Sequence, residues 1–163
     1  MDIGTFNAAQ DDAAAVVLRT CARVEQWVTD LVAARPFADV DSLVSSADAL
    51  AAAWGAEELE EALADHPRIG ERHPGTGRSA ALSHDEQSGV DDSAGTTARL
   101  AAANRRYEER FGRIFLIRAA GRSSEDVLAH LEQRLRHDPA TETRVAADQL
   151  REIAVLRLRG AFS

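Results

Sequence analysis

Residues 65–71 read DHPRIGE and residues 83–87 read SHDEQ, and these two stretches with the loop between them hold His66, His73, His84, Asp85 and Glu86. Histidine is the side chain best placed to exchange protons near neutral pH. Pro67 confines the backbone of His66 to extended geometry, so the imidazole sits on a stiffened support. That suits a positioned general acid or base. A plainer role serves the same pattern, a histidine that ends a helix with its ring beside the last carbonyls. Ser83 followed three residues later by Glu86 also reads two ways. It matches a capping box, in which the Glu86 carboxylate accepts from the Ser83 amide. It equally marks a helix N-terminus whose free amides suit an anionic ligand, with Glu86 touching a polar group on it.

A metal site would need two or three ligands that converge. His66 and His73 are seven residues apart with proline and glycine between them, and no HExxH or two-histidine helical spacing occurs. A metal reading of His66, His73 and His84 therefore ranks below the proton-transfer reading. His130 and His137, also seven apart, are expected at the surface. Near the C-terminus, Ala146, Leu150, Ile153 and Arg157 share one helical face, which aims an arginine at the core. Such an arginine wants an anion, whether a ligand or a structural carboxylate, unless it snorkels to the surface. Arg159 points elsewhere and is expected in solvent. The chain has no lysine, which excludes a Schiff base and lysine-bound pyridoxal phosphate.

The elements that must position these groups are helical. Val16, Val17, Cys21, Val24, Val28 and Leu31 recur at three- and four-residue spacing, and strand-like alternation is nearly absent. An all-α, single-domain bundle of about seven or eight helices over residues 1–163 is expected. Asn7 is read as the start of the first helix, ARPF at 34–37 as a break, and Asp39 or Asp41 as the next cap. A short helix over AEELEEALAD ends at His66-Pro67, and residues 66–82 form the longest loop. A long helix runs over about 94–111 and stops at Gly112. RIFLIRAAG, at 113–121, fits either a strand or a buried helix. Ser123 or Ser124 caps the next helix, and Asp138-Pro139 opens the last, which ends near Gly160.

At 163 residues the chain is long enough for one real core. Hydrophobic residues make up 45% and charged residues 28%, without an apolar run near membrane length. The start, MDIGTFNAAQDD, lacks the features of a secretory signal or transit peptide, so a cytoplasmic location is expected. Cys21 is the single cysteine, which excludes an intramolecular disulfide and suits a reducing compartment. The net charge is −8 and the arginines alternate with acids, which argues against nucleic acid as a partner.

Taken in order, FNAA at 6–9, Cys21, Trp27, ARPF, HPRIGER at 66–72, SHDEQ, YEERFGRIFLIRAAG at 107–121 and EIAVLRLRG at 152–160 resemble one family. It is the decarboxylases of 2-oxo-4-hydroxy-4-carboxy-5-ureidoimidazoline (OHCU), enzymes of uric acid breakdown. HPRIGER followed by SxxEQ is the most specific pair. The resemblance implies an all-helical, cofactor-free carboxy-lyase that forms a homodimer. It implies His66 as the catalytic proton donor with Pro67 beside the substrate. Ser83, His84, Asp85, Glu86 and Gln87 become a substrate-binding segment, with Glu86 catalytic. Phe115, Leu116, Ile117, Arg118 and Ala119 become a second wall offering backbone groups, and Arg157 holds the substrate's anionic end. The chain departs from the family pattern at Arg113 and Ile114, where an apolar residue and proline are frequent, and at Arg118, where a small residue or cysteine is usual.

The implied chemistry agrees with the residues present. Losing carbon dioxide leaves an electron pair that needs a sink, and OHCU carries its own in a ring C=N conjugated to the carbon that bears the carboxylate. No cofactor is required, and the protein need only hold the carboxylate, engage the adjacent hydroxyl and protonate one face, giving S-allantoin. Two rivals are a metal-dependent hydrolase built on His66, His73 and His84, and a non-catalytic helical interaction protein.

Overall fold

Helix starts in this chain are written largely by short polar side chains. Asp2, Asp39, Ser123 and Asp138 each accept the backbone N–H of the residue three positions on, satisfying a donor that the first helical turn leaves over. The computed structural model describes residues 1–64 and 94–163, and among them are eight helices and no strand. In chain order they are α1 (Ile3–Ala8), α2 (Asp11–Cys21), α3 (Glu25–Ala33), α4 (Val40–Ala51), α5 (Ala56–Leu63), α6 (Ala94–Phe111), α7 (Ser124–Arg134) and α8 (Pro139–Ala161).

The all-α expectation and the helix number therefore hold, and the bounds of α6 and the caps Asp39, Ser123 and Asp138 match the sequence reading. Three readings need correction. Asn7 does not start a helix. It lies inside α1, where its amide accepts from Phe37 N at 2.9 Å and donates to Phe37 O at 2.8 Å, tying α1 to the stretch before α4. The segment before ARPF is not one helix but three, because Ala22 and Val24 adopt extended backbone between α2 and α3 and are themselves buried. Glu61 of α5 accepts the Glu25 N–H at 2.7 Å, so the start of α3 is capped by a residue far away in sequence. Third, RIFLIRAAG is neither strand nor helix.

α8 organises the larger core. It packs against α2, α4 and α5, with α3 filling between α2 and α4. At about 1.5 Å per residue its 23 residues span roughly 34 Å. Phe6, Leu18, Trp27, Leu31, Leu43, Leu59, Leu150 and Leu158 are all buried in this cluster. Trp27 also donates its indole N–H to Ala47 O at 3.0 Å. ARPF breaks the chain around a cis Arg35-Pro36 bond, and the Arg35 guanidinium donates to Phe6 O and Ala9 O at the end of α1. α6 and α7 pair with each other over a second cluster, built from Leu100, Ala103, Tyr107, Phe115, Ile117, Val127, Leu128 and Leu131.

Candidate functional site

His66, Pro67, His73, Ser83, His84, Asp85, Glu86 and Gln87 lie outside the described residues. The described part of the site is the connection between α6 and α7, together with Arg157. α6 ends in a glycine-terminated turn, in which Gly112 takes φ +70° and its N–H donates to Glu108 O at 2.9 Å. Gly121, at φ +78°, sits in the turn before α7. Between these two left-handed glycines the chain runs from one apolar cluster to the other.

Side chains in that run alternate. Phe115 and Ile117 enter the α6–α7 cluster, whereas Leu116 enters the α8 cluster. That is the period of two expected of extended chain, in which successive side chains point to opposite sides. A buried extended stretch without a neighbouring strand must find partners for its backbone groups elsewhere. Side chains supply them. Arg134 donates from Nη1 to Leu116 O at 2.6 Å, Gln149 Oε1 accepts Arg118 N at 2.9 Å, and Arg122 donates from Nε to Arg118 O at 2.9 Å.

Arg134 is buried and needs an anion of its own. Glu142, at the start of α8 and fully buried, accepts from both Nε and Nη2 of Arg134. The Tyr107 hydroxyl donates to the same carboxylate, and His137 Nδ1 lies 3.1 Å from its other oxygen. Burial first, and then the bond to Glu142, push the Tyr107 phenol well above its ordinary 10.0, so it stays a donor. The Arg134 guanidinium also stacks against Phe115, 4.4 Å from its ring centre. One carboxylate thus fixes an arginine, and that arginine fixes both a backbone carbonyl and a ring of the stretch.

Arg113, Ile114 and Arg118 are accommodated without disturbing this arrangement. Arg113 reaches Thr143 Oγ1 at 3.3 Å, and Ile114 packs on the α8 cluster. Arg118 points along α8, donating to Ala120 O at 2.9 Å and lying 3.6 Å from Glu152, where it helps line an open groove of about 850 Å³ between α4 and α8. Two arginines of that groove are ion-paired, Arg151 on Asp48 at 2.6 Å and Arg159 on Asp41 at 3.0 Å. Arg159 is exposed as expected but ion-paired.

Arg157 is buried on the inner face of α8, as the helical spacing predicts. Its Nη1 lies 3.4 Å from Cys21 O, at the negative end of α2. It stands eight residues, or about 12 Å, farther along α8 than Gln149. Of the two histidines expected at the surface, both are half-buried; His130 is 2.8 Å from Arg122 and His137 faces Glu142. Among the described residues no group of three or more histidine, cysteine or acidic side chains could hold a metal. None of the described helices is long and apolar enough to cross a membrane.

Arg134, Glu142, Tyr107 and Gln149 were not singled out from the sequence. A signal existed for two of them. Arg134 shares the face of Val127, Leu128 and Leu131, and Glu142 shares that of Ala146, Leu150 and Arg157, so helical periodicity aims both inward as it does Arg157.

Residues 7–159 match the sequence model of the OHCU decarboxylase family. The chain is 34% identical over 144 residues to the 2-oxo-4-hydroxy-4-carboxy-5-ureidoimidazoline decarboxylase of Haloferax volcanii, covering 84% of this chain and 82% of that protein. It is 32% identical over 128 residues to the enzyme of the same name from Amia calva, covering 77% and 73%. Among solved structures, a crystal structure of OHCU decarboxylase in the presence of (S)-allantoin superposes with a TM-score of 0.75 at 22% identity, over 94% of this chain and 99% of that one, a likeness of fold. With a family match that spans nearly the whole sequence, the chain belongs to the OHCU decarboxylases.

Proposed function

We propose that this chain decarboxylates OHCU to S-allantoin in uric acid degradation, without a cofactor. The observation that carries the reading is the family match over residues 7–159, a span that contains HPRIGER, SHDEQ and Arg157. The wall at residues 115–119 supports it, because its side-chain buttresses hold a backbone in place, which is the preorganisation that substrate positioning needs.

In the reaction the bond from the ring carbon to the carboxylate breaks, carbon dioxide leaves, and the electron pair passes into the conjugated ring C=N. The former imine nitrogen is protonated, the hydroxyl gives up its proton as the resulting enol becomes a carbonyl, and the adjacent carbon, which bears the ureido group, takes a proton on one face. His66 handles the proton, Glu86 binds the hydroxyl or ureido group, and Arg157 neutralises an anionic or carbonyl end of the substrate. Pro67, Ser83, His84, Asp85 and Gln87 bind the substrate, and Phe115, Leu116, Ile117, Arg118 and Ala119 offer backbone groups as a second wall. The enzyme acts as one domain over residues 1–163, as a cytoplasmic homodimer.

The test is to supply OHCU freshly generated from urate and to follow the chirality of the allantoin formed. Spontaneous decay gives a racemate, so an excess of the S enantiomer that requires His66, and that survives exhaustive EDTA treatment, is the expected result. Racemic product at the spontaneous rate would overturn the activity. Loss of turnover with EDTA and its return with zinc would favour the metal reading of His66, His73 and His84.

A further inference from the structure

Residues 115–119 present two backbone edges, and the structure treats them differently. In extended chain the N–H and C=O of alternate residues point to the same edge. Leu116 O, Arg118 N and Arg118 O belong to one such edge, and they are the groups bound by Arg134, Gln149 and Arg122. The other edge carries the amides and carbonyls of Phe115, Ile117 and Ala119, of which Ala119 O accepts the Arg122 N–H at 3.0 Å where the chain turns toward α7. Arg134 and Gln149 come from different helices, α7 and α8, yet they take successive positions along one edge, as a neighbouring strand would.

We infer that Gln149 is a positioning residue: with Arg134 it stands in for a missing strand, so that the opposite backbone edge of residues 115–119 is held at a fixed register for the ligand. The inference deepens the proposed activity and rests on it. Gln149 is suited to the task because its own amide is oriented. Its Nε2 donates to Glu152 Oε2 at 3.1 Å, which leaves Oε1 facing the Arg118 N–H. Glu152 also lies beside the Arg118 guanidinium, so one acid steadies both partners of the bond. Arg134 is less useful as a probe, because removing it would strand the fully buried Glu142 and unsettle the fold. Gln149 is half-buried and can be changed without leaving a buried charge.

Gln149→Leu removes the acceptor while keeping much of the volume. It should speed amide hydrogen exchange at Arg118 and raise the KM for OHCU roughly tenfold, with kcat less affected, since a misplaced wall weakens ground-state contacts first. The thermal midpoint should move by only a few degrees. The double swap Gln149→Glu with Glu152→Gln keeps an acceptor for Arg118 and a donor–acceptor contact between the two side chains, and it should restore both exchange protection and KM. Faster exchange at Arg118 with unchanged KM would make the bond merely structural and overturn the inference, as would unchanged exchange. Wild-type turnover is measured in the same series. Its absence overturns the proposed activity and this inference together, whereas normal wild-type turnover with an indifferent Gln149→Leu overturns this inference alone.

Discussion

The cluster around α8 and the cluster between α6 and α7 differ in what they bury. In the first, helices satisfy most of their own backbone, with Asn7, Arg35 and Glu61 serving the breaks between them, and the interior is filled by side chains such as Leu18, Trp27, Leu43 and Leu150. Arg157 is the one polar side chain on the inner face of α8 there. The other buried polar groups among the described residues, Thr96, Asn104, Ser124, Arg134 and Glu142, sit on α6, α7 and the first turn of α8. The second region must also accommodate residues 113–119, whose backbone no helix satisfies. Buried polar groups collect where irregular backbone has to be held, because an unpartnered buried carbonyl or amide costs about 1–3 kcal/mol.

Removing the carboxylate on which the second cluster turns should have the largest effect. Glu142→Leu leaves Arg134 buried without its anion and Tyr107 without its acceptor, and it should cost about 3–5 kcal/mol. In the first cluster Leu150→Ala should cost a comparable 2–5 kcal/mol, for a different reason, the cavity left in an apolar core. Denaturant titration measures both, and a rescue separates them. Adding Arg134→Met to Glu142→Leu should recover much of the loss, since the stranded charge is gone. A double variant as unstable as the sum of its parts would show that the pair is not the unit proposed here.

A smaller effect on stability, with a larger one on function, is expected from Arg157→Met. Methionine retains apolar contact inside α8 and leaves no charge buried there, so the melting temperature should change little. The KM for OHCU should rise about tenfold, equivalent to roughly 1.4 kcal/mol. Steady-state kinetics beside a melting curve decides it, and a large drop in stability with normal KM would assign Arg157 to the core alone.

The smallest effect belongs to the rim of the first cluster. The hydrogen bond from Arg151 holds the Asp48 carboxyl below its ordinary 3.8 despite some opposing desolvation. A carboxylate whose folded value is depressed contributes stability that is present above pH 3.8 and is lost as pH falls through the folded value. Both side chains are over a third exposed or close to it, at 34% and 43%, so screening keeps the pair under about 1 kcal/mol. Asp48→Asn should therefore melt slightly below the wild type at neutral pH, and the difference should close in acid below pH 3.8. A gap that persists there would mean the asparagine disturbs packing instead.

Much of the fold was legible in the sequence because its signals are local. Asp39, Ser123 and Asp138 cap helices with side chains that reach only three residues, and Gly112 stops α6 through a backbone angle that glycine adopts without strain. Arg157 could be placed inside because helical periodicity is a local property too. Spacing and motif order also identified the family, through HPRIGER, SHDEQ and the residues around them. Tertiary structure alone decided the rest. The start of α3 is capped by Glu61, 36 residues from the Glu25 amide it accepts. Asn7 became a tie to Phe37 instead of a cap. RIFLIRAAG had no period to read because its two faces enter two different cores, and its backbone partners, Arg134 and Gln149, come from helices that follow it. A residue's own neighbours set its backbone preference, but which distant side chain meets its amide or carbonyl is set by how helices pack, and no local pattern encodes that.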